Sequence, residues 1–275
     1  MSSLVVPAPA KVNLFLHVTG RRSDGYHTLE SLFVLVDIAD TLSLTLRDDG
    51  AVRRTNDVAS VPAADDLALR AAHALQRASG TRLGVDYALD KRIPIGAGLG
   101  GGSSDAATML LALDRLWSLG WSRDALAGIA LSLGADVPFF IGGEPALARG
   151  IGEALEPMSV PPLWLVVAVP SVHVPTAAIF AARELTRDTP SAKMNVFSAA
   201  YGRNDLEPVA AARFPEVAAA LTSLRRVAPH ARMSGSGAAV FASFESEHDA
   251  RAAASQVPSA SVVRTLARHP LASFA

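Results

Sequence analysis

The chain has 275 residues, of which half are hydrophobic and 19% are charged, and its mean hydropathy is positive. It can therefore bury a substantial core, which excludes intrinsic disorder. A net charge of −1 excludes the basic surface that attracts nucleic acids or anionic membranes, and the absence of cysteine excludes disulfides and thiolate metal sites.

The start of the chain lacks the charged segment and long apolar run of a secretory signal peptide. Its apolar runs all fall short of the ~18 residues that a membrane-spanning helix needs. We therefore expect a soluble, cytoplasmic enzyme with no membrane partner and no nucleic-acid partner. The length allows one large domain or two smaller ones.

The first part of the chain is predicted to be rich in strands. Residues 4–46 alternate apolar and polar side chains, with a hairpin turn that ends in Asp24-Gly25. Residues 47–64 are polar and contain proline, which predicts a loop. A helix is predicted at 65–78 from its apolar face and acidic start, and a strand at 83–89.

The rest of the chain alternates helices and strands. Ser122 is expected to begin a helix that Gly134 ends, and the apolar run at 163–169 predicts a buried strand. Further helices are predicted at 175–182, 193–200, 214–227 and 247–255, and further strands at 240–244 and 261–266. Because the regular βαβ order of a doubly wound sheet is missing, we predict an α+β fold with mixed or antiparallel sheets flanked by helices. We expect two lobes, 1–157 and 158–275, that share a cleft.

The most informative stretch carries five glycines within seven residues, between a predicted strand and a predicted helix. Its sequence is Pro94-Ile95-Gly96-Ala97-Gly98-Leu99-Gly100-Gly101-Gly102-Ser103-Ser104-Asp105. Glycine lets backbone N–H groups turn toward an anion and lets the anion approach closely. The helix that follows adds the positive end of its dipole, with Ser103 or Ser104 as the expected N-cap. We therefore predict a phosphate-binding loop.

Other interpretations of this stretch fit less well. A P-loop is excluded because no lysine follows the glycines. Residues 96–101 satisfy a dinucleotide fingerprint, but the acidic residue expected about 20 positions on is poorly matched, because Asp114 falls inside the helix. A flexible linker would not lead from a strand straight into a run of strong helix formers.

Three motifs in order resemble the GHMP kinases, small-molecule kinases that bind ATP through a glycine-rich loop unlike the P-loop. They are Pro9-Ala10-Lys11-Val12-Asn13-Leu14, the glycine-rich stretch, and Met233-Ser234-Gly235-Ser236-Gly237. Four further stretches resemble one branch of this superfamily, which serves non-mevalonate isoprenoid synthesis and acts on a substrate bearing a cytidine diphosphate. They are Gly20-Arg21-Arg22-Ser23-Asp24-Gly25-Tyr26-His27, Leu133-Gly134-Ala135-Asp136-Val137-Pro138-Phe139, Val174-Pro175-Thr176 and Asn204-Asp205-Leu206-Glu207. The resemblance extends from about residue 7 to residue 266 and implies the GHMP kinase fold.

The resemblance implies transfer of the γ-phosphoryl group of ATP, with Mg²⁺, to a hydroxyl of the acceptor. It assigns Asp136 as the base that takes the hydroxyl proton; from the residues alone, a helix N-cap or a turn fits Asp136 equally well. Lys11 would orient Asp136 or the hydroxyl and offset developing charge; the alternative is a surface lysine. Asn13 shares the strand face of Lys11 and is expected to bind the acceptor hydroxyl or Lys11.

On the ATP side, the resemblance implies contacts from the glycine-rich loop and from Lys91, whose alternative role is a solvated charge at a strand end. The loop residues concerned are Pro94, Ile95, Gly96, Ala97, Gly98, Leu99, Gly100, Gly101, Gly102, Ser103 and Ser104. The Gly235-Ser236-Gly237 motif is expected to lie against this loop in a supporting role, although it also fits a simple tight turn. Magnesium often binds mainly through phosphates, and apart from a hydroxyl of Ser103 or Ser104 no protein ligand is assigned.

On the acceptor side, the resemblance assigns Tyr26 and His27 to the cytidine, through stacking and hydrogen bonds to the base edge. Phe180, one helical turn after Thr176, would close the other face of the base, and Thr176 belongs to the same site. Without the resemblance, these are an aromatic residue at a strand start, a surface histidine and a core phenylalanine. The partner is therefore expected to be a small molecule, and the protein a monomer or weak homodimer.

Three rival functions remain at this point. Another GHMP kinase, for homoserine or mevalonate, is disfavoured by the Asp-Gly-Tyr-His sequence together with Phe180. A non-catalytic nucleotide-binding relative is disfavoured because Lys11, Asp136 and all the loop glycines are present. A nicotinamide-dependent oxidoreductase is disfavoured by the predicted topology around the glycines.

Overall fold

Two long antiparallel strands organise the fold. A computed structural model describes residues 2–58, 61–191 and 201–274 of the chain. Strand β1 (Ser3–Arg21) pairs along its length with β2 (His27–Arg47). The two are joined by a turn in which the Arg22 N–H donates to the Tyr26 carbonyl, 2.7 Å away. The predicted strand-rich start and its hairpin turn are confirmed.

The other elements lie mostly where the sequence predicts them. The strands are β3 (Val52–Arg54), β4 (Gly84–Asp90), β5 (Ala146–Arg149), β6 (Ala154–Pro157), β7 (Trp164–Ala168), β8 (Arg232–Met233), β9 (Val240–Phe244) and β10 (Ala260–Leu266). The α-helices of the described residues are α1 (Leu67–Ser79), α2 (Gly101–Leu116), α3 (Arg123–Leu133), α4 (Val137–Gly142), α5 (Thr176–Phe180), α6 (Glu207–Arg213), α7 (Pro215–Val227) and α8 (Glu247–Ala254).

One prediction differs from this structure, several short elements were not predicted, and one prediction cannot be compared with it. Strand β3 lies inside the predicted loop 47–64, and it forms by parallel pairing with β4. Helices α4 and α6 and strands β5, β6 and β8 were not predicted, since each is too short to show a clear apolar period. The helix predicted at 193–200 lies outside the described residues.

Local signals in the sequence explain where helices begin and end. The Asp66 carboxylate accepts hydrogen bonds from the N–H groups of Ala68 and Leu69, which caps α1. Gly80 ends that helix in the left-handed conformation, with φ of +66°. The Ser122 hydroxyl caps α3 in the same way as Asp66 caps α1.

One mixed sheet runs through both halves of the chain, in the order β3-β4-β2-β10-β7-β9-β8. Its pairs are antiparallel except for β3 with β4. The C-terminal strand β10 pairs with both β2 and β7, so the sheet crosses the predicted division after residue 157. The predicted α+β class with mixed and antiparallel pairing is confirmed, while the division into two lobes stays a prediction.

The apolar core falls into three clusters, and the middle one joins the two halves. The first lies between the β1–β2–β4 face and helices α1 to α4, and the second lies among β7, β9 and helices α5 to α8. The middle cluster combines Val12 and Leu14 of β1 with Val167 of β7 and Phe241 of β9. Each such side chain contributes about 1.5–3 kcal/mol through burial, so the middle cluster holds the two halves of the chain together firmly.

Within the described parts of the chain, the helices are all too short or too polar to span a lipid bilayer.

Candidate active site

The glycine-rich loop needs its glycines for both backbone conformation and close packing. Gly96, Gly98 and Gly100 have φ values of +68°, +75° and +71°, in the left-handed region that favours glycine. A Cβ at Gly98 would lie 2.3 Å from the Ser234 carbonyl oxygen, and one at Gly100 would lie 2.9 Å from Cγ of Lys11. Only glycine therefore fits these positions.

The residues between these glycines anchor the loop in the core. Ala97 and Leu99 are 3% and 2% exposed and belong to the middle apolar cluster. The Ala97 carbonyl accepts the Ala239 N–H at 3.0 Å, and the Leu99 carbonyl accepts the Lys11 N–H at 2.9 Å. Ala97 and Leu99 thus anchor the loop in the core, while Gly96, Gly98 and Gly100 line the cavities on its other side.

Helix α2 begins directly at the end of the loop. Gly100, in the left-handed conformation, is its N-cap without any side-chain bond, so the predicted capping by Ser103 or Ser104 is wrong. Both serines lie one turn inside the helix. Ser104 is fully buried and donates to the Pro9 carbonyl at 2.6 Å, which fastens α2 to β1 and turns this hydroxyl away from the cleft. The first N–H groups of α2, beside Ser103, have no partner within the helix and suit an anion.

Lys11 and Asp136 meet at the centre of the cleft. Lys11 is 4% exposed, so it is not a surface lysine. Its ammonium Nζ lies 3.3 Å from Oδ2 of Asp136, donates to Oδ1 of Asn13, and sits 4.8 Å from the centre of the Phe33 ring. Asp136 occupies the N-cap position of α4, but its carboxylate makes no capping bond and is about one-third exposed. The carboxylate is therefore open to the cleft and is held there by Lys11.

Asn13 is held in one orientation by a hydrogen-bond network. Its Nδ2 donates to the Ser31 hydroxyl at 2.8 Å, which leaves Oδ1 facing Lys11. Its N–H donates to the Ser234 hydroxyl at 3.2 Å, and this hydroxyl donates to the Gly98 carbonyl at 3.1 Å. The segment 233–237 thus lies against the glycine-rich loop, in contact with the strand that carries Lys11.

Three cavities adjoin one another, and the Lys11–Asp136 pair lines the middle one. The first, about 450 Å³, is lined by Lys91 and by all the predicted loop residues except Ser104, namely Pro94, Ile95, Gly96, Ala97, Gly98, Leu99, Gly100, Gly101, Gly102 and Ser103. The second, about 350 Å³, is lined by Lys11, Asn13, Asp136 and Thr176. The third, about 580 Å³, is lined by Tyr26, His27, Thr176 and Phe180. Gly96, Gly98 and Gly100 line both the first and the second, and Leu29, Ile151, Thr176 and Phe180 line both the second and the third.

Lys91 is not a solvated charge at a strand end. Its side chain is 9% exposed, and its ammonium bonds to the carboxylates of Asp40 and Asp105, the latter at 2.7 Å. Burial raises the pKa of Asp105 to about 7; Lys91 opposes this rise and Asp40 adds to it. Lys91 therefore joins α2 to β2 at the wall of the first cavity. Its Nζ lies 3.2 Å from the position that a Cβ at Gly101 would occupy.

The aromatic residues of the third cavity are arranged differently from a simple sandwich. His27 and Phe180 stack directly on each other, with ring centres 5.2 Å apart and planes inclined by 27°. This contact leaves no room for a base between them. Tyr26, which is 62% exposed, lines the same cavity as Phe180. The Thr176 hydroxyl is 2.7 Å from the Ser236 hydroxyl, and this contact joins α5 to the Gly235-Ser236-Gly237 motif.

Sequence reasoning missed several residues of this site. Ser31 orients Asn13, Asp40 pairs with Lys91, and Arg187 donates to Nε2 of His27 at 3.0 Å. None of the three lies in a motif, and Arg187 is one of many arginines in the chain. Their roles depend on contacts between residues that are far apart in sequence.

Metal ligands are not evident from the protein alone. In residues 2–58, 61–191 and 201–274, no group of three histidine, aspartate or glutamate side chains could hold a metal ion. The Ser103 hydroxyl, at the start of α2, is the predicted oxygen ligand that lines the first cavity.

Two family models match the parts of the chain that build this site. Residues 66–144 match the GHMP kinases N terminal domain, a span that contains the glycine-rich loop and Asp136. Residues 181–263 match the GHMP kinases C terminal domain, a span that contains Gly235-Ser236-Gly237.

Named relatives resemble the chain over nearly its whole length. It is 56% identical to the 4-diphosphocytidyl-2-C-methyl-D-erythritol kinase of Cupriavidus metallidurans, covering 98% of this chain and 95% of the relative. It is 36% identical to a 4-(cytidine 5′-diphospho)-2C-methyl-D-erythritol kinase of known crystal structure, with a TM-score of 0.81 and coverage of 95% and 99%. A homoserine kinase from Cytophaga hutchinsonii has a TM-score of 0.72 at 19% identity, over 98% of this chain and 96% of that one, which is a likeness of fold alone.

Proposed function

Because the chain belongs to the 4-diphosphocytidyl-2-C-methyl-D-erythritol kinase family of the GHMP kinases, we propose that it transfers the γ-phosphoryl group of ATP to the 2-hydroxyl of that substrate. Its membership confirms the predicted fold and the prediction of a small-molecule kinase. The observation that carries the proposal is the set of three adjoining cavities, with the Lys11–Asp136 pair at the middle one.

ATP is proposed to bind in the first cavity, with its phosphates along the glycine-rich loop. The rigid loop and the first N–H groups of α2 face this space and offer hydrogen bonds to an anion without a side chain in the way. The Ser103 hydroxyl lines this cavity and would hold Mg²⁺ together with phosphate oxygens, and the ion would neutralise phosphate charge. Lys91 contributes indirectly, because its ion pairs with Asp40 and Asp105 fix α2 against β2.

Phosphoryl transfer needs positioning and charge neutralisation more than covalent chemistry from the protein. The acceptor hydroxyl is proposed to lie in the second cavity, where the Asp136 carboxylate is open to the cleft and accepts its proton. The hydroxyl oxygen bonds to the γ-phosphorus as the bond to the bridging oxygen of ADP breaks. Lys11 holds Asp136 in place and offsets negative charge, and the fixed Asn13 amide orients Lys11.

The cytidine end of the acceptor is proposed to occupy the third cavity. Tyr26 and Phe180 offer the faces of aromatic rings to the base, and His27 offers hydrogen bonds to its edge. Thr176 and Phe180 line both this cavity and the central one, so a molecule with a cytidine at one end can place its hydroxyl beside Asp136. This continuity favours a nucleotide-bearing acceptor over homoserine.

The test is ADP release measured by a coupled assay with purified protein and Mg·ATP. 4-Diphosphocytidyl-2-C-methyl-D-erythritol should support turnover, and homoserine and the cytidine-free polyol should not. Equal turnover with homoserine would keep the kinase and discard the cytidine subsite. No turnover with any acceptor, despite measurable ATP binding, would favour a non-catalytic nucleotide-binding protein.

A further inference from the structure

Arg187 uses every donor of its guanidinium group at the edge of the third cavity. A guanidinium has five N–H bonds. The Nε–H goes to Nε2 of His27 at 3.0 Å. The other four go to backbone carbonyls at the end of α5 and directly after it, those of Phe180 at 3.1 Å, Ala182 at 2.5 Å, Arg183 at 3.4 Å and Leu185 at 3.0 Å. Arg187 therefore ties this segment to a single imidazole, 160 residues away in the chain.

The bond from Arg187 determines which nitrogen of His27 carries the proton. A guanidinium can only donate, so Nε2 must offer its lone pair, and the neutral ring carries its proton on Nδ1. Burial lowers the pKa of His27, and the positive charges of Arg187 and Arg21 lower it further. The acidic side chain that lines this cavity, Asp24, is itself paired with Arg22 at 2.8 Å. His27 is therefore held neutral, with Nδ1–H as its donor.

The same arginine also fixes the position of the ring. Arg187 donates to the Phe180 carbonyl and to His27, while the Phe180 ring stacks on the imidazole. The imidazole is thus held in its plane by the hydrogen bond and against one face by the stack. A histidine held on two sides in this way cannot exchange its two nitrogens by flipping without breaking the bond to Arg187.

Resting on the proposed function, we propose that Arg187 is a positioning residue of the acceptor subsite, which holds His27 as the Nδ1–H tautomer so that it donates to the pyrimidine. Cytosine carries two acceptor atoms, N3 and O2, that suit such a donor. The opposite tautomer would present a lone pair to them. Because its own N–H groups are engaged, Arg187 acts on the substrate through His27.

Two variants and a matched control separate this role from a structural one. Arg187→Met removes the donors and keeps most of the aliphatic stem, and Arg187→Lys keeps one charged donor. Arg213→Met is the control, because Arg213 ties the same segment through the Ala178 carbonyl at 3.1 Å and the Glu184 carboxylate at 2.7 Å. Arg187→Met should raise KM for the cytidylyl acceptor about tenfold, the loss of roughly one hydrogen bond's free energy. Arg187→Lys should recover part of this loss.

The kinetic signature expected is specific to the acceptor. KM for ATP and kcat should change little in Arg187→Met, and Arg213→Met should resemble the wild type. An equal rise in acceptor KM in Arg213→Met, or a matching rise in KM for ATP, would show that Arg187 merely stabilises the fold and would overturn the proposal.

A second measurement does not depend on turnover. The ¹⁵N chemical shifts of the His27 ring, assigned by comparison with His27→Gln, report its tautomer directly in the wild-type protein at pH 7.5. We expect a protonated Nδ1 and a bare Nε2, and loss of this single pattern in Arg187→Met. A protonated Nε2 in the wild type would overturn the proposal. If the wild type fails to phosphorylate the cytidylyl acceptor, the proposed function fails, and these shifts still decide the role of Arg187.

Discussion

The Lys11 ammonium lies 3.3 Å from the Asp136 carboxylate, and the two side chains differ sharply in exposure, 5% against 34%. Lys11 lies on β1, and its ammonium contacts Asn13 and the Phe33 ring, whereas Asp136 faces the second cavity. A carboxylate that faces a cavity beside a buried cation has the placement that the proposed base for a hydroxyl nucleophile needs, because it can reach the hydroxyl proton.

Asp136→Asn should lower kcat by about 100- to 10,000-fold, because the amide keeps the shape of the side chain but cannot accept the hydroxyl proton. ATP affinity should be nearly unchanged, since the glycine-rich loop forms the ATP cavity and Asp136 does not line it. Steady-state kinetics and equilibrium ATP titration measure the two effects. Asp48→Asn, at an exposed residue after β2, is the control. An unaltered kcat in Asp136→Asn would remove Asp136 from the role of base.

Substitution of glycine by alanine should have opposite effects at two positions. Gly98→Ala places a Cβ 2.3 Å from the Ser234 carbonyl at φ of +75°, so it should destabilise the protein by at least about 1–3 kcal/mol and weaken ATP binding. Gly128→Ala, on the exposed face of α3 with open space around it, should stabilise by about 0.5–1 kcal/mol. Urea unfolding measures both; a stabilising Gly98→Ala would contradict the described loop geometry.

Much of this architecture follows from local signals, and the remainder depends on distant contacts. Alternating side chains predicted β1 and β2, and the glycines predicted the loop that leads from β4 to α2. The N-cap of α2 was misplaced because Gly100, in the left-handed conformation, starts the helix before the first hydroxyl. Strand β3 was missed because Val52 is its one apolar residue and its pairing with β4 comes from tertiary structure.

The candidate site divides in the same way. Lys11, Asn13 and Asp136 lie in recognisable motifs, and the structure brings them into contact. The partners of Lys91 and His27 could not be predicted, because Asp40 is 51 residues from Lys91 and Arg187 is 160 residues from His27. A polar side chain gives no sign in the sequence of which distant polar group it will meet in the folded protein.

Lys91→Met should be strongly destabilising. It leaves the carboxylates of Asp40 and Asp105 buried without their shared cation, and removal of one partner from a buried ion pair costs about 3–5 kcal/mol. The double variant Lys91→Met/Asp105→Asn should recover part of this loss, because only one buried carboxylate then remains. Chemical denaturation of the wild type, the single variants Lys91→Met and Asp105→Asn, and the double variant gives the coupling energy. Additive losses of stability would contradict a shared role of Lys91 and Asp105 in joining α2 to β2.

The stability of the protein should carry a pH-dependent contribution from Asp105. Its native pKa of about 7 lies above its ordinary value of 3.8, so between these values the folded state holds a proton that the unfolded state has released. The contribution of Asp105 to the free energy of unfolding therefore falls as pH rises from about 4 to about 7.

Asp105→Asn should remove this dependence. The difference in unfolding free energy between wild type and variant, followed from pH 4 to pH 8, isolates the contribution of Asp105 from those of the other carboxylates. A difference that is flat with pH, or that favours the wild type increasingly toward pH 7, would contradict the raised pKa.

The central claim, transfer of phosphate to the 2-hydroxyl of the cytidylyl acceptor, is tested most directly by proton-coupled ³¹P NMR of the reaction product. The carbon that bears this hydroxyl also carries the methyl group and no hydrogen, so a phosphate on it has no three-bond proton coupling. We predict a new phosphomonoester singlet, with the diphosphate signals of the acceptor retained. A doublet or triplet would place the phosphate on another hydroxyl, and the absence of any new phosphomonoester signal would contradict the function proposed for this protein.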